Sequence, residues 1–345
     1  ARRMRRCAAL LLEALLLRPS ASVSLGRRAF GLGAASASSG ASATRRAPLM
    51  SMTVDSHVHV WSSSAAYAAG REPPAALGDS VACAEALLAS MAAAGVDAAL
   101  IVQPINYEYD HSHVSAVLGK YPDRFKGMLL ANPTLDPKDA AECIHALADQ
   151  GFTGVRFNPY LWPEDTQKQD WLADATGRAL FEACGKRKMP VGVMAFQGLV
   201  PLLPSLEALM RVFPETVVVL DHFAFPRAEP GAGPNGQKFD EGAWKALLSL
   251  GQQYPQLHVK ISALSRVAST ADLADLEERV DELVTVYGSS RLMYGSDFPF
   301  CALQPGGYAA PMDAVRRWTT KLPEAEQADI LGGTARRLFW LPECD

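Results

Sequence analysis

Two histidines separated by one residue, His57 and His59, are the side chains of this 345-residue chain with the clearest capacity for chemistry. Apolar and polar residues alternate over 53–61 as in a strand, so both imidazoles project from one face. Such a pair at a strand end can bind a divalent metal or an anionic group, although most His-x-His sequences are ordinary strand histidines. The carboxylate of Asp297 directly follows another predicted strand, at 291–296. If the two strands are neighbours in a closed barrel, Asp297 lies beside the histidine pair.

The elements that must position these residues alternate regularly from Thr53 onward. Strands are predicted at 53–60, 98–103, 126–131, 154–158, 191–195, 216–221, 258–262 and 291–296. Helices are predicted at 82–94, 113–120, 137–150, 176–187, 202–213, 241–254, 272–287 and 323–340. Eight alternating strands predict an α/β fold, a single (β/α)8 TIM barrel over 53–340 with its active site at the carboxyl ends of the strands. An open doubly wound sheet is the alternative, but no Gly-x-Gly-x-x-Gly follows the first strand.

The polar residues that end the predicted strands should converge in such a barrel. They are, in chain order, His57, His59, Gln103, Asn132, Arg156, Asn158, Gln197, Asp221, His222, Lys260, Ser262 and Asp297. A buried charge needs a partner or a purpose, so a convergent set of ionisable groups is typical of a functional site. Asp221 is one residue out of phase with His222, and we therefore expect it to face the helices and to serve the structure.

These residues resemble the motifs of the amidohydrolase superfamily. The resemblance lies in Asp-x-His-x-His at 55–59, Leu-Asp-His at 220–222, Lys-Ile-Ser at 260–262 and Tyr-Gly-Ser-Asp-Phe-Pro at 294–299. The chain is most similar to the amidohydrolase-related branch, which includes sugar lactonases and 2-pyrone-4,6-dicarboxylate lactonases. Its closing segment at 332–339 is also similar, although Thr334 stands where asparagine is usual. The resemblance implies a barrel that hydrolyses lactones or related carbonyl compounds, with some relatives acting as decarboxylases.

Two departures from the superfamily pattern bear on metal binding. Metal-dependent relatives usually carry a histidine on strand five or a modified lysine on strand four, whereas this chain has no histidine at 190–197 and has Arg156 on strand four. A two-metal centre is therefore not expected. A single divalent metal, zinc or manganese, is compatible with the sequence. His57, His59 and Asp297 would hold it, and His222 or water would complete its coordination. The sequence does not decide whether this metal is bound, because the branch also has metal-independent members. No organic cofactor is expected.

The mechanism predicted from these residues is base-activated attack of water on a lactone or cyclic ester. Asp297 is the predicted general base, while His57, His59 and His222, or a metal that they hold, polarise the carbonyl. Arg156 is predicted to bind a substrate carboxylate or hydroxyl, with an ion pair to Asp221 as the alternative. The other predicted substrate-binding residues are Asn158, Tyr160, Gln103, Lys260 and Tyr107. A metal-dependent decarboxylase and a catalytically inactive binding barrel are the alternative functions.

Three further features receive weaker interpretations. His111 and His113 precede a helix, so capping or a solvated surface is favoured over a second metal site. Lys260 could instead be an ion-pair lysine of the barrel. The loop at 225–239 is rich in proline and glycine and follows strand six, where a lid would close, although a passive loop has the same composition.

Composition limits the partners and the compartment. A net charge of −4 gives no surplus of basic residues, so we expect a small-molecule substrate rather than nucleic acid. The sequence is compatible with a homo-oligomer but does not decide the oligomeric state. Six scattered cysteines are typical of a reducing compartment. Residues 1–50 are rich in arginine, serine and alanine and contain one acidic residue, Glu13. This composition predicts an organellar transit peptide or a disordered extension. The chloroplast is slightly favoured over the mitochondrion as the organelle. The apolar run at 8–17 is too short to cross a membrane.

Overall fold

A computed structural model of the protein describes residues 52–158, 161–162, 171–196, 198–230 and 237–341. The predicted extension at 1–50, Tyr160, Gln197 and part of the 225–239 loop lie outside the described residues.

Eight parallel strands form the sheet that the alternation of elements predicts. They are β1 Val54–Val58, β2 Ala98–Val102, β3 Phe125–Leu130, β4 Phe152–Phe157, β5 Val191–Val193, β6 Val218–Leu220, β9 Leu257–Ile261 and β10 Leu292–Tyr294. They follow one another around the sheet in chain order. A parallel bridge between Val58 and Phe298 brings the last strand to the first, where the His59 N–H donates to the Phe298 carbonyl at 2.7 Å. The nearly closed barrel confirms the predicted fold class.

Two additional short strands form an antiparallel pair in the loop after β6. They are β7 Arg227–Pro230 and β8 Gln237–Phe239. This pair occupies the segment for which the sequence suggests a lid.

Helices surround the sheet, and each predicted helix overlaps an observed one, whereas the helices Leu264–Val267 and Ala309–Thr319 were not predicted. They are α1 Asp79–Ala82, α2 Ala84–Ala94, α3 Ser112–Lys120, α4 Pro137–Ala148, α5 Ala175–Lys186, α6 Leu203–Val212, α7 Glu241–Gln253, α8 Leu264–Val267, α9 Asp275–Tyr287, α10 Ala309–Thr319, α11 Glu324–Ala328 and α12 Thr334–Phe339. Aspartates begin three of them: the carboxylates of Asp136, Asp174 and Asp240 accept first-turn backbone N–H groups of α4, α5 and α7. These caps satisfy donors that a helix start leaves unpaired. No helix among the described residues is long and apolar enough to span a membrane.

The predicted helix at 323–340 is divided in two by a π-helical turn, Asp329–Gly333. Gly332 lies in this turn and packs directly against the start of β1, since a Cβ atom there would lie 2.1 Å from the Met52 carbonyl oxygen. Only glycine allows this close approach of two backbones. The closing segment therefore supports the strand that carries the two histidines.

Candidate active site

The histidine pair has the geometry that strand alternation predicts. His57 lies in β1 and His59 follows it, and both are buried. Their Nε2 atoms are 3.3 Å apart. The Nδ1 of His59 is 2.8 Å from the carbonyl oxygen of Val102, a group that only accepts hydrogen bonds, so His59 carries its proton on Nδ1. The Nε2 lone pair of His59 therefore points toward His57.

Asp297 lies beside this pair, as the barrel predicts. It follows β10 at a backbone φ of +60° and is almost fully buried. Its Oδ1 is 3.9 Å from the Nε2 of His59 and 3.9 Å from the Nε2 of His222. Among the described residues this buried oxygen has no hydrogen-bond partner. Its Oδ2 accepts a hydrogen bond from Arg266 at 3.2 Å. Burial raises the pKa of Asp297 to about 6, which suits a proton acceptor near neutral pH.

The expectation that Asp221 faces the helices is wrong. Its carboxylate points into the barrel, as does the neighbouring imidazole of His222. The strand β6 ends at Leu220, and the backbone then turns left-handed, with φ of +55° at both His222 and Phe223. Side chains alternate between faces only while the backbone is extended, so two consecutive residues can share a face beyond the strand end.

Asp221 forms the centre of a buried ion-pair network below the histidines. Its Oδ2 is 2.9 Å from the Nε of Arg156, and its Oδ1 is 3.1 Å from the Nζ of Lys260 and 3.2 Å from the Nδ1 of His57. Burial alone would raise the pKa of Asp221, but Lys260, Arg156 and His57 outweigh burial and hold it well below its usual range. The alternative for Arg156, an ion pair with Asp221, is confirmed. Lys260 is likewise an ion-pair lysine.

The site fits a single divalent metal. The ligand atoms of His57, His59 and Asp297 all lie within 4.8 Å of one another. The separations of 3.3 Å between the two Nε2 atoms and 3.9 Å from Asp297 to His59 and to His222 suit ligands about 2.0–2.2 Å from one ion. Burial lowers the pKa of each of the three histidines, so the rings are neutral, as metal ligands must be. The unpaired Oδ1 of Asp297 is the oxygen that such an ion would satisfy.

Hydrogen bonds behind the histidines hold their rings in this arrangement. The Nδ1 of His222 is 2.7 Å from the Ser262 hydroxyl, and the Nδ1 of His59 contacts the Val102 carbonyl. The Nδ1 of His57 lies between Lys260, at 3.3 Å, and Asp221, at 3.2 Å. In each ring the nitrogen away from the centre has a partner, and the Nε2 faces the centre. This is the usual arrangement of histidines that bind metals, because the outer bond fixes ring orientation.

Arg266 is a site residue that the sequence analysis missed. It lies in α8, after the end of β9, and its guanidinium contacts Asp297. Its carbon Cζ lies 5.3–5.5 Å from the ring centres of Phe196, Phe225 and Phe300, so the cation sits among three aromatic rings. The side chain is 21% exposed, so this cation reaches solvent at the mouth of the site. The sequence signal is an arginine four residues past a strand-end serine.

Comparison with known proteins agrees with this geometry. Residues 54–341 match the amidohydrolase family. The chain belongs to this family. A curated relative, L-fucono-1,5-lactonase of Burkholderia ambifaria, is 28% identical over 303 residues, which cover 84% of this chain and 96% of that protein. The family match identifies the protein as an amidohydrolase, and the curated relative to which it is similar is a lactonase.

Two solved structures share the fold of this amidohydrolase. An amidohydrolase from Burkholderia multivorans, solved with bound zinc, aligns with a TM-score of 0.64 at 24% identity, over 84% of this chain and 100% of the other. A probable 2-pyrone-4,6-dicarboxylic acid hydrolase from Acinetobacter baumannii, solved with citric acid, also gives 0.64 at 20% identity, over 84% and 99%. At these identities the likeness supports the barrel fold.

Three other predicted substrate contacts of the amidohydrolase lie near the mouth of the barrel. The amide nitrogen of Gln103 donates to the carbonyls of Glu108 and Asp110, whereas its buried Oε1 has no partner within the described segments. The Tyr107 hydroxyl accepts from the Ser62 N–H at 2.8 Å and so holds the loop after β1. Asn158 is buried just beyond the end of β4. Their roles toward substrate stay predictions.

Among the described residues, the second His-x-His does not belong to a cluster of metal-ligating side chains, and His111 occupies the N-cap position of α3 without capping it through its side chain. The buried Nε2 of His111 instead accepts the N–H of Leu130 at 3.0 Å. The capping and solvated-surface interpretations are therefore wrong for His111, because the ring is turned inward against β3. His113 packs on Tyr107, with ring centres 5.2 Å apart.

Proposed function

We propose that this amidohydrolase opens the ring of a small lactone, sugar-derived or carboxylated, by adding water. The observation that carries the proposal is the convergence of Asp297 with His57, His59 and His222 at the carboxyl ends of the strands. A buried carboxylate whose pKa is raised to about 6 is a suitable base for this reaction at neutral pH. The similarity to L-fucono-1,5-lactonase supports a lactone as the substrate.

In the proposed reaction a water attacks the carbonyl carbon of the lactone and gives up a proton to Asp297. The carbon–oxygen bond of the ring then breaks, and the proton passes from Asp297 to the departing alkoxide. The product is a hydroxy acid, which ionises and releases one proton to solvent. Arg266 donates a hydrogen bond to the Oδ2 of Asp297 and so fixes the orientation of the carboxylate for the proton transfer. Positioned proton transfer of this kind contributes about 10²–10⁴-fold in rate.

We further propose that His57, His59 and Asp297 hold one divalent metal ion, zinc or manganese, completed by His222 or water. When bound, such an ion would polarise the carbonyl and stabilise negative charge on its oxygen. The arrangement of the ring nitrogens and the unpaired Oδ1 of Asp297 support the proposal. The zinc found in the related Burkholderia multivorans structure agrees with it.

The test is a screen of aldonolactones and carboxylated lactones, followed by proton release with a pH indicator. We expect turnover of at least one lactone and a loss of about 10²–10⁴-fold in Asp297→Asn with unchanged folding by circular dichroism. Asp313→Asn, an exchange of an exposed carboxylate on α10, is the matched control and should keep full activity.

Retained activity in Asp297→Asn would refute the role of Asp297. If no lactone reacts and an aromatic carboxylic acid loses carbon dioxide instead, the decarboxylase alternative replaces this proposal. The structure gives that alternative little support, because Met194 follows β5 where relatives carry a histidine, and its sulfur contacts the Nη2 of Arg156 at 2.9 Å.

A further inference from the structure

The Nδ1 atom of His57 lies between two groups that require opposite protonation of this nitrogen. The carboxylate oxygen Oδ1 of Asp221 is 3.2 Å away and can only accept a hydrogen bond. The ammonium group of Lys260 is 3.3 Å away and can only donate one. A neutral imidazole carries one N–H, so its Nδ1 can bond to one of these groups at a time.

The other nitrogen of His57 makes the two states distinct. Its Nε2 is 3.3 Å from the Nε2 of His59, which is an acceptor because the His59 proton is on Nδ1. With the proton on Nε2, His57 donates to His59 and its Nδ1 accepts from Lys260. With the proton on Nδ1, His57 donates to Asp221, and the lone pairs of both Nε2 atoms face the centre of the site.

We propose that Asp221 and Lys260 are positioning residues that select between these two tautomers of His57. The state bonded to Lys260 closes the site through the His57–His59 hydrogen bond. The state bonded to Asp221 opens it to a metal ion, which needs both Nε2 lone pairs. The change moves one proton from Nε2 to Nδ1 of the same ring and leaves the charge of the ring unchanged. The inference rests on the proposed metal for its functional meaning.

Burial makes the competition effective. The side chains of His57, Asp221 and Lys260 are fully buried, so little water is present to take the place of either partner. A neutral imidazole has these two tautomers, which differ only in the nitrogen that carries the proton. Arg156 pairs with the other carboxylate oxygen of Asp221, Oδ2, and so does not compete for the Nδ1 of His57.

The experiment is ¹⁵N NMR of the histidine rings in the full chain, treated with chelator and then loaded with zinc. The assignment of His57 comes from the signal lost in His57→Gln. We expect chelator-treated protein to carry the His57 proton on Nε2 and zinc-loaded protein to carry it on Nδ1. In Lys260→Met the chelator-treated protein should already carry it on Nδ1, and zinc should bind more tightly.

Two further variants complete the comparison. The double variant Asp221→Asn/Lys260→Met removes one anion and one cation, so the net charge of the network is the same as in the wild-type protein. Zinc should bind to this double variant about 10- to 100-fold more weakly than to Lys260→Met alone. Lys126→Met, on β3 outside the network, is the control and should leave tautomer and zinc affinity unchanged.

A proton on Nδ1 of His57 in the chelator-treated wild-type protein, or a proton that stays on Nε2 in Lys260→Met, would overturn the inference. The wild-type measurement decides even if a variant fails to fold. Failure to bind zinc would refute the proposed metal separately, because the tautomers of the chelator-treated wild type and Lys260→Met still show whether Lys260 selects between them. The tautomer measurement and the zinc-binding measurement do not depend on the lactonase proposal, and both keep their meaning if the protein hydrolyses no lactone.

Discussion

Replacement of Arg156 by methionine distinguishes a structural arginine from a substrate-binding one. The Nε of Arg156 is 2.9 Å from Asp221, and both side chains are at most 3% exposed. Removal of one partner of a buried ion pair costs about 3–5 kcal/mol, because the other charge is left without compensation. Here the ammonium of Lys260 stays 3.1 Å from the same carboxylate. We therefore expect Arg156→Met to lower the free energy of unfolding by about 3 kcal/mol, the lower end of that range.

The assay is urea and thermal unfolding of the variant beside the wild-type protein. A loss of about 3 kcal/mol corresponds to a fall in Tm of about 6–12 °C in a domain of this size. Arg317→Met, an arginine exposed on α10, is the matched control and should change stability by about 0.5 kcal/mol or less. A second comparison, Arg156→Met with Asp221→Asn, removes the carboxylate as well and should recover part of the lost stability.

The two roles of Arg156 give opposite patterns. A substrate-binding arginine that is replaced raises KM and leaves unfolding unchanged, because it contributes uniform binding to substrate. Loss of less than 1 kcal/mol together with a rise in KM of about tenfold or more would refute the structural role. Loss of stability in Arg156→Met with recovery in the double variant would establish the ion pair as its function.

Three further predictions concern the support of the site and its protonation. Gly295→Ala should lose about 1–3 kcal/mol of stability in thermal unfolding and lose activity, because the new Cβ would lie 2.8 Å from the Cβ of His57; unchanged kcat/KM would contradict this packing argument. Tyr308→Phe should cost about 1–3 kcal/mol in urea unfolding, since its hydroxyl donates at 2.8 Å to the buried carboxylate of Asp55; a neutral effect would show that the bond contributes nothing. Lactone hydrolysis should fall about tenfold in kcat/KM between pH 7 and pH 5, because only ionised Asp297, whose pKa is raised to about 6, accepts a proton; a flat profile would exclude Asp297 as the base.

The barrel could be predicted because its strands are short buried runs that alternate with helices along the chain. All eight predicted strands overlap observed ones, and the face shared by His57 and His59 follows from strand alternation alone. The same rule was applied with His222 in phase, whereas Asp221 keeps an extended backbone and the face of Val219, and the left-handed turn that breaks the alternation begins at His222. Backbone dihedrals beyond a strand end depend on packing against neighbouring loops, and a sequence pattern of period two does not contain that information.

Arg266 shows a second limit of the sequence. Its guanidinium reaches Asp297 from α8, 31 residues earlier in the chain, through a cage of aromatic rings from three separate loops. Each ring alone is an ordinary apolar residue, and only the tertiary structure places them around one cation.

The sequence-based prediction of metal binding depended on which strands carry a histidine. The structure adds the positions of the donor atoms, which the sequence does not contain. Relatives with a metal carry a histidine on strand five, so its lack in this chain argued against a complete ligand set. In the structure the Nε2 of His222, which follows β6, lies 3.9 Å from the Oδ1 of Asp297. A metal ion responds to the positions of donor atoms and is indifferent to the strand that supplies them. Both Asp221 and His222 face inward beyond the end of β6, so Asp221 forms the ion-pair network and His222 lies beside Asp297. The irregular backbone at His222, which the alternation rule does not describe, is therefore what places a third histidine next to Asp297.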